Sequence, residues 1–98
     1  MTQYAGILLF DIPEAAIGPW QNQLGYRGLL EVWEAGPHRL ILSPEYDTDA
    51  DEGYWELAYE NTDTGLLDII QYADDFTEAN RLAHAWMEAH QDLNNIHL

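Results

Sequence analysis

Between Leu40 and Asn80 this 98-residue chain places twelve carboxylates and neither Lys nor Arg. Any strand or helix formed there must keep those side chains in water, because a buried charge without a partner is costly. Eight of them, Glu45, Asp47, Asp49, Asp51, Glu52, Glu56, Glu60 and Asp63, fall within nineteen residues. Two carboxylates about 7 Å apart repel by roughly 0.6 kcal/mol in bulk water, and physiological salt about halves this. A cluster kept at that cost points to a use for negative surface, with a cationic partner as the beneficiary.

The net charge of −15 does not signal disorder, because 47% of the residues are hydrophobic and four Trp and six Tyr are among them. Residues 1–98 are expected to form one compact domain, long enough for one core and too short for two. The absence of Cys removes disulfides, thiolate metal sites and a cysteine nucleophile. No basic leader precedes the apolar run Ile7–Phe10, which is too short for a signal core or a membrane span. A cytoplasmic location, in the host cell if the chain is phage-encoded, is the expectation. A surface of this sign repels anionic lipid and nucleic acid, so no membrane and no direct nucleic-acid contact are expected. Arg27, Arg39 and Arg81 are too dispersed to make a phosphate track.

Residues Tyr4–Phe10 read as a buried strand. Pro13 to Gly25, with Pro13 and Pro19 at helix-start positions, reads as one or two short helical turns. Leu29–Ala35 and His38–Ser43 flank the turn residues Gly36-Pro37 and predict a hairpin. Tyr54–Glu60 alternates, with Trp55, Leu57 and Tyr59 on one face and Tyr54, Glu56, Ala58 and Glu60 on the other. After a turn at Asn61–Gly65, Leu66–Tyr72 supplies its partner strand, interrupted by Asp68. Asp75-Phe76-Thr77-Glu78 fits a capping box and opens a helix expected to run to about Leu93. Ala79, Leu82, Ala83, Trp86 and Leu93 form its apolar stripe, and Arg81, His84 and Glu88 its opposite face. The expected fold is α+β, a small antiparallel sheet of about five strands in hairpins packed against a C-terminal helix.

Chemistry-bearing motifs are incomplete. Asp47, Asp49 and Asp51 have the alternation that opens a calcium loop, but Glu52 stands where Gly is needed and Ala58 where the bidentate Glu belongs. A solvated acidic loop is the favoured reading. His38, His84, His90 and His97 make no metal signature, and His84 with Glu88 reads as a surface ion pair on the helix. The glycines have no nucleotide-binding spacing, and Ser43, followed by Pro44, sits in no nucleophile elbow. Trp33 and Trp55 are expected in the core. The chain is therefore expected to be no enzyme and to need no cofactor and no metal.

In an extended segment residues two apart lie about 6.6 Å from each other, so Asp47, Asp49 and Asp51 are expected to reproduce a spacing similar to consecutive phosphates of one nucleic-acid strand. The leading expectation is an acidic protein-binding module that occupies a basic nucleic-acid-binding site on another protein or complex. Its contact surface is Glu45, Asp47, Asp49, Asp51, Glu52, Glu56, Glu60 and Asp63, flanked by Asp68, Asp74 and Asp75, with Tyr46 and Tyr54 as aromatic contacts. In size and charge alone the chain resembles small phage and mobile-element proteins that mimic DNA and block restriction enzymes, repair glycosylases or CRISPR effectors. Two other readings stand beside it. Salt adaptation would explain the acidity, although the first forty residues hold only four of the eighteen acids. A structural or assembly protein forming a homodimer through an edge strand is the other.

Overall fold

A computed structural model describes residues 16–23 and 31–96. Six strands follow one another in space in chain order as an antiparallel meander: β1 (Ala16–Ile17), β2 (Trp20–Asn22), β3 (Glu31–Ala35), β4 (His38–Asp47), β5 (Glu52–Asn61) and β6 (Leu67–Ala73). Helix α1 (Phe76–Ala89) packs on one face, and a short 3-10 turn, Leu93–Asn95, follows it. The fold is α+β, as expected, with six strands where about five were anticipated. None of the described helices is long and apolar enough to cross a membrane.

The extra strands lie where helical turns were expected. Ala16–Ile17 and Trp20–Asn22 pair with each other through the turn Gly18-Pro19, and Gly18 takes the left-handed φ of 56° that glycine tolerates. Tertiary packing overrides the Pro and Gly signals, because Trp20 is fully buried between the sheet and α1. Its indole Nε1 donates to the His90 carbonyl at 2.9 Å and its ring meets Trp86 edge-on at 5.6 Å. The strand expected at Tyr4–Phe10 lies outside the described residues.

The hairpin about Gly36-Pro37 forms as read, with Glu31↔Leu42 to Ala35↔His38 in register and Gly36 left-handed at φ 59°. So does the alternation of β5. Trp55, Leu57 and Tyr59 face α1; Leu57 and Tyr59 join Trp33, Leu40, Leu42, Ala79, Ala83 and Met87 in the core, and Trp55 packs against it half-buried. The other face carries a cross-strand apolar row, Val32, Ile41, Ala58 and Ile69, in which Val32 and Ala58 are buried. Burying each large apolar side chain favours the fold by about 1.5–3 kcal/mol.

Helix α1 begins at the expected cap, where the Asp75 carboxylate accepts the Glu78 N–H at 2.9 Å. Glu78 does not complete a capping box by reaching back. Its carboxylate pairs with Arg81 at 2.6 Å instead, one turn along, and the Arg81 bond holds its pKa below the ordinary value. The helix ends at Ala89, not near Leu93, because Asp92 turns the chain by accepting the Asn94 N–H. The expected pairing of His84 with Glu88 is replaced by an edge-on contact of His84 with Trp33, ring centroids 5.4 Å apart. Met87, one turn beyond Ala83, is fully buried and belongs to the apolar stripe.

Trp20 and Trp33 are both at most 2% exposed, yet only the Trp20 indole has a hydrogen-bond partner; the Trp33 Nε1 is buried without one. Replacing Trp33 by Phe removes an unsatisfied donor, whereas replacing Trp20 by Phe orphans the His90 carbonyl. Trp20→Phe should destabilise the protein by about 1–2 kcal/mol more than Trp33→Phe. Urea unfolding of the two variants checks this, and equal losses would contradict it.

Candidate partner-binding face

The acidic face is built by the β4–β5 hairpin, a pairing that extends past the segment recognisable as strand. Residues Pro44–Asp47 and Glu52–Gly53, expected as loop, continue the ladder through Pro44↔Trp55, Glu45↔Tyr54, Tyr46↔Gly53 and Asp47↔Glu52. Pro44 lies opposite Trp55 in this ladder, and among the described residues β5 is the one neighbour of β4 beyond Leu42. Side chains two apart on a strand share a face, and directly opposed residues lie about 4.5–5.5 Å apart at Cβ. Ser43, Glu45 and Asp47 therefore face the same way as Glu52, Tyr54 and Glu56, opposite to α1. Tyr72 of β6, opposite Glu56, adds to them. Its ring meets Tyr54 edge-on at 5.5 Å.

The tip of the hairpin corrects one expectation. Asp47, Asp49 and Asp51 do not lie along an extended strand, because Thr48–Asp51 is a turn. Asp47 is the turn's acceptor: its Oδ1 takes the N–H groups of Asp49 at 3.0 Å and Ala50 at 3.2 Å. Asp51 closes the turn in the left-handed region at φ 56°, and the Tyr46 hydroxyl donates to its carboxylate. The β5–β6 turn has the same construction. Asn61 Oδ1 accepts from Asp63 and Thr64 at 2.9 and 3.2 Å, and Gly65 holds the left-handed position at φ 80°. Asp47-Thr48-Asp49-Ala50-Asp51 and Asn61-Thr62-Asp63-Thr64-Gly65 are thus two versions of one turn. The alternating acids that resemble a calcium loop are accounted for by turn chemistry. Among the described residues no group of three or more His, Asp or Glu is arranged to hold a metal ion.

The candidate residues divide between the two ends of a hairpin that is about 30 Å long at 3.3 Å per residue. At one end are Glu45, Asp47, Glu52, Tyr54 and Glu56 on the outer face, with Tyr46, Asp49 and Asp51 at the tip. Asp74 and Asp75 join this end, because Ala73 pairs with Trp55. At the other end are Glu60, Asp63 and Asp68. Glu60 is engaged there by Arg39 at 3.2 Å, which also holds Glu34 at 2.9 Å. The Asp75 carboxylate is occupied as the helix cap. Among the described residues no Arg forms an ion pair with Glu45, Asp47, Glu52 or Glu56; the ion-paired carboxylates are Glu34, Glu60 and Glu78.

Two residues that sequence reasoning passed over belong to the face. Ser43 is buried and donates to Glu45 Oε2 at 3.0 Å, steadying that carboxylate. Tyr72 pairs with Tyr54, and the register on β6 that brings it there contains a bulge between the Leu57 and Ala58 pairings, a shift that strand alternation does not encode. The face is electrostatically strained. Partial burial, and then the neighbouring Glu45, holds the Glu56 carboxyl above its ordinary value of 4.5. Tyr54 is likewise raised, first by desolvation and then by Glu45, Glu56, Tyr72 and Asp47.

No protein-family model matches this chain, and no curated protein or solved structure matches it.

The raised Glu56 pKa sets a sign for stability against pH. The folded chain binds this proton more tightly than the unfolded chain, so ionisation of Glu56 costs the native state stability as pH rises from about 4.5 through its folded value. Glu56→Gln should therefore raise stability at neutral pH and remove part of the decline on going from acid to neutral. Urea midpoints at about pH 4 and pH 7, on either side of the start of the decline, measure it; an unchanged difference between the two pH values would contradict the assignment.

Proposed function

We propose that this chain is an acidic protein-binding module, a nucleic-acid mimic that occupies a basic nucleic-acid-binding site on a target protein or complex and so inhibits it. Inhibitors of the phage or mobile-element anti-defence kind, acting on CRISPR or restriction systems, have this logic. The observation that carries the reading is the outer face at the β4–β5 tip: Glu45, Asp47, Glu52 and Glu56 lie together beside two tyrosines, without an Arg ion pair among the described residues. Glu45 and Asp47, two apart on β4, are separated by about 6.6 Å, a spacing similar to that of phosphates along one strand. A groove lined with Lys and Arg releases bound counterions when it meets such a surface, as it does on nucleic acid, and the interaction weakens as salt rises. Attraction between the two surfaces speeds encounter and fixes orientation. Tyr54 and Tyr72 supply flat amphipathic surface suited to stacking on guanidinium groups. The activity is binding, with no catalytic step, in the cytoplasm where such targets work.

The test is retention of targets by the immobilised chain from a nuclease-treated bacterial lysate, beside a triple variant Glu45→Gln, Glu52→Gln, Glu56→Gln. These three positions carry no turn or cap duty, so the variant should fold. The native chain is expected to hold a nucleic-acid-processing protein or complex that high salt releases, and the variant to lose it, with affinity down by about tenfold or more, mainly through slower association. Equal retention by the variant would refute the reading. If the native chain retains no such target, the acidity is better explained by solubility or salt adaptation.

A further inference from the structure

Among the described residues β6 is an edge of the sheet, paired with β5 on one side and with no strand on the other. An edge strand offers a row of unpaired N–H and C=O groups, and proteins usually blunt such edges with Lys, Pro or very short strands. The seven residues of β6 contain neither Lys nor Pro, and what tempers this edge is one bulge opposite Leu57 and Ala58 and one charge, Asp68. The large exposed apolar side chains also gather here. Leu66, Leu67, Ile69, Tyr72 and Phe76 all fall in this segment, with Leu67 and Tyr72 59% and 58% exposed, and only Tyr46 lies elsewhere among the described residues. Leu67, Ile69 and Tyr72 oppose Glu60, Ala58 and Glu56 on β5 and so line the outer face of the edge. Asp68, between them, projects to the other face and is exposed.

We infer that the β6 edge accepts an extended segment of another protein as an added strand, a segment that alternates Lys or Arg with apolar residues. Its apolar side chains would lie beside Leu67, Ile69 and Tyr72, and its cations would meet Asp68. Charge decides between this occupant and a second copy of the chain. Two copies each carrying −15 repel, and β6 brings Asp68 and no cation to such a pairing, whereas a basic segment neutralises that charge. The inference stands apart from the nucleic-acid-mimic reading, because it concerns backbone pairing at β6 and not the carboxylates of the β4–β5 tip.

The probe is a capped peptide of alternating Val and Arg, about eight residues long, titrated into the isotope-labelled full chain with amide resonances and amide hydrogen exchange as readouts. A version N-methylated at alternate residues loses its pairing edge and keeps its charge. Binding should shift the amides of residues 67–73 and slow their exchange, and N-methylation should weaken affinity by about tenfold or more. Three results would overturn the inference. One is equal affinity for both peptides with shifts confined to Glu45–Glu56. Another is exchange in the free monomer already as slow along all of β6 as in β4, showing that the chain's own residues cover the edge. The third is concentration-dependent dimerisation in sedimentation that the peptide does not disrupt.

Discussion

Ten consecutive pairs between β4 and β5, from His38↔Asn61 to Asp47↔Glu52, decide what every other part of the molecule meets. Strand side chains alternate, so a slip of β5 by one residue would carry Leu57 and Tyr59 to the side away from α1 and bring Glu56 and Glu60 beneath the helix. The turn after Asp47 pins this register, and the turn after Asn61 sets that of β5 with β6. Asp47 and Asn61 each capture the next two available N–H groups, and Asp51 and Gly65 each take the left-handed position that lets the chain return. Core and acidic face are consequences of one alignment.

The same hairpin separates two electrostatic environments. Near His38 and Asn61 all six strands run side by side, Arg39 bridges Glu34 and Glu60, and His38 shares a hydrogen bond of 2.5 Å with the Tyr59 hydroxyl beneath α1. Near Asp47 and Glu52 the described residues supply β4 and β5 alone, and Asp47 opposes Glu52 with no ion-paired cation among them. Like charges directly opposed across a ladder are destabilising, so the distal end is held by the core rather than by its own pairs. On the α1 side the ring contact of Trp55 with Phe76 leads toward that end, and on the outer face Tyr54 meets Tyr72. Such an arrangement is stable only because its cost, a few tenths of a kcal/mol per exposed pair in salt, is small beside the buried tryptophans.

What could be read from the sequence followed from local rules that agree with the fold. Gly36-Pro37 gives a turn whatever surrounds it, the period-two pattern of Tyr54–Glu60 gives a half-buried strand, and Asp75 placed before an apolar 3.6-residue pattern gives a helix start. Where local and tertiary signals conflict, the local reading failed. Pro19 suggests a helix start, yet Trp20 beside it is buried and hydrogen-bonded from a strand. Pro44 and the following acids look like loop, but a ladder needs one pairing side and β5 supplies it. The twelve carboxylates were legible as a field, while their division into tip, cap, ion-paired and far-end groups depends on which strands pair and where β6 bulges, and no local pattern carries that. Tyr72, adjacent to the acids only across the sheet, was hidden for the same reason.

The account rests on the claim that the carboxylates of the β4–β5 tip touch the target's cations. Zero-length carbodiimide cross-linking of the chain to the target that it retains tests this directly, because the coupling joins a carboxylate only to an amine in contact with it. The chain contains no Lys, so links from its carboxylates to lysine must be to the partner. The account predicts cross-links from Glu45, Asp47, Glu52 or Glu56 to lysines of the target's nucleic-acid groove. Links confined to Asp63 and Asp68 at the far end, or to target lysines outside that groove, would contradict it.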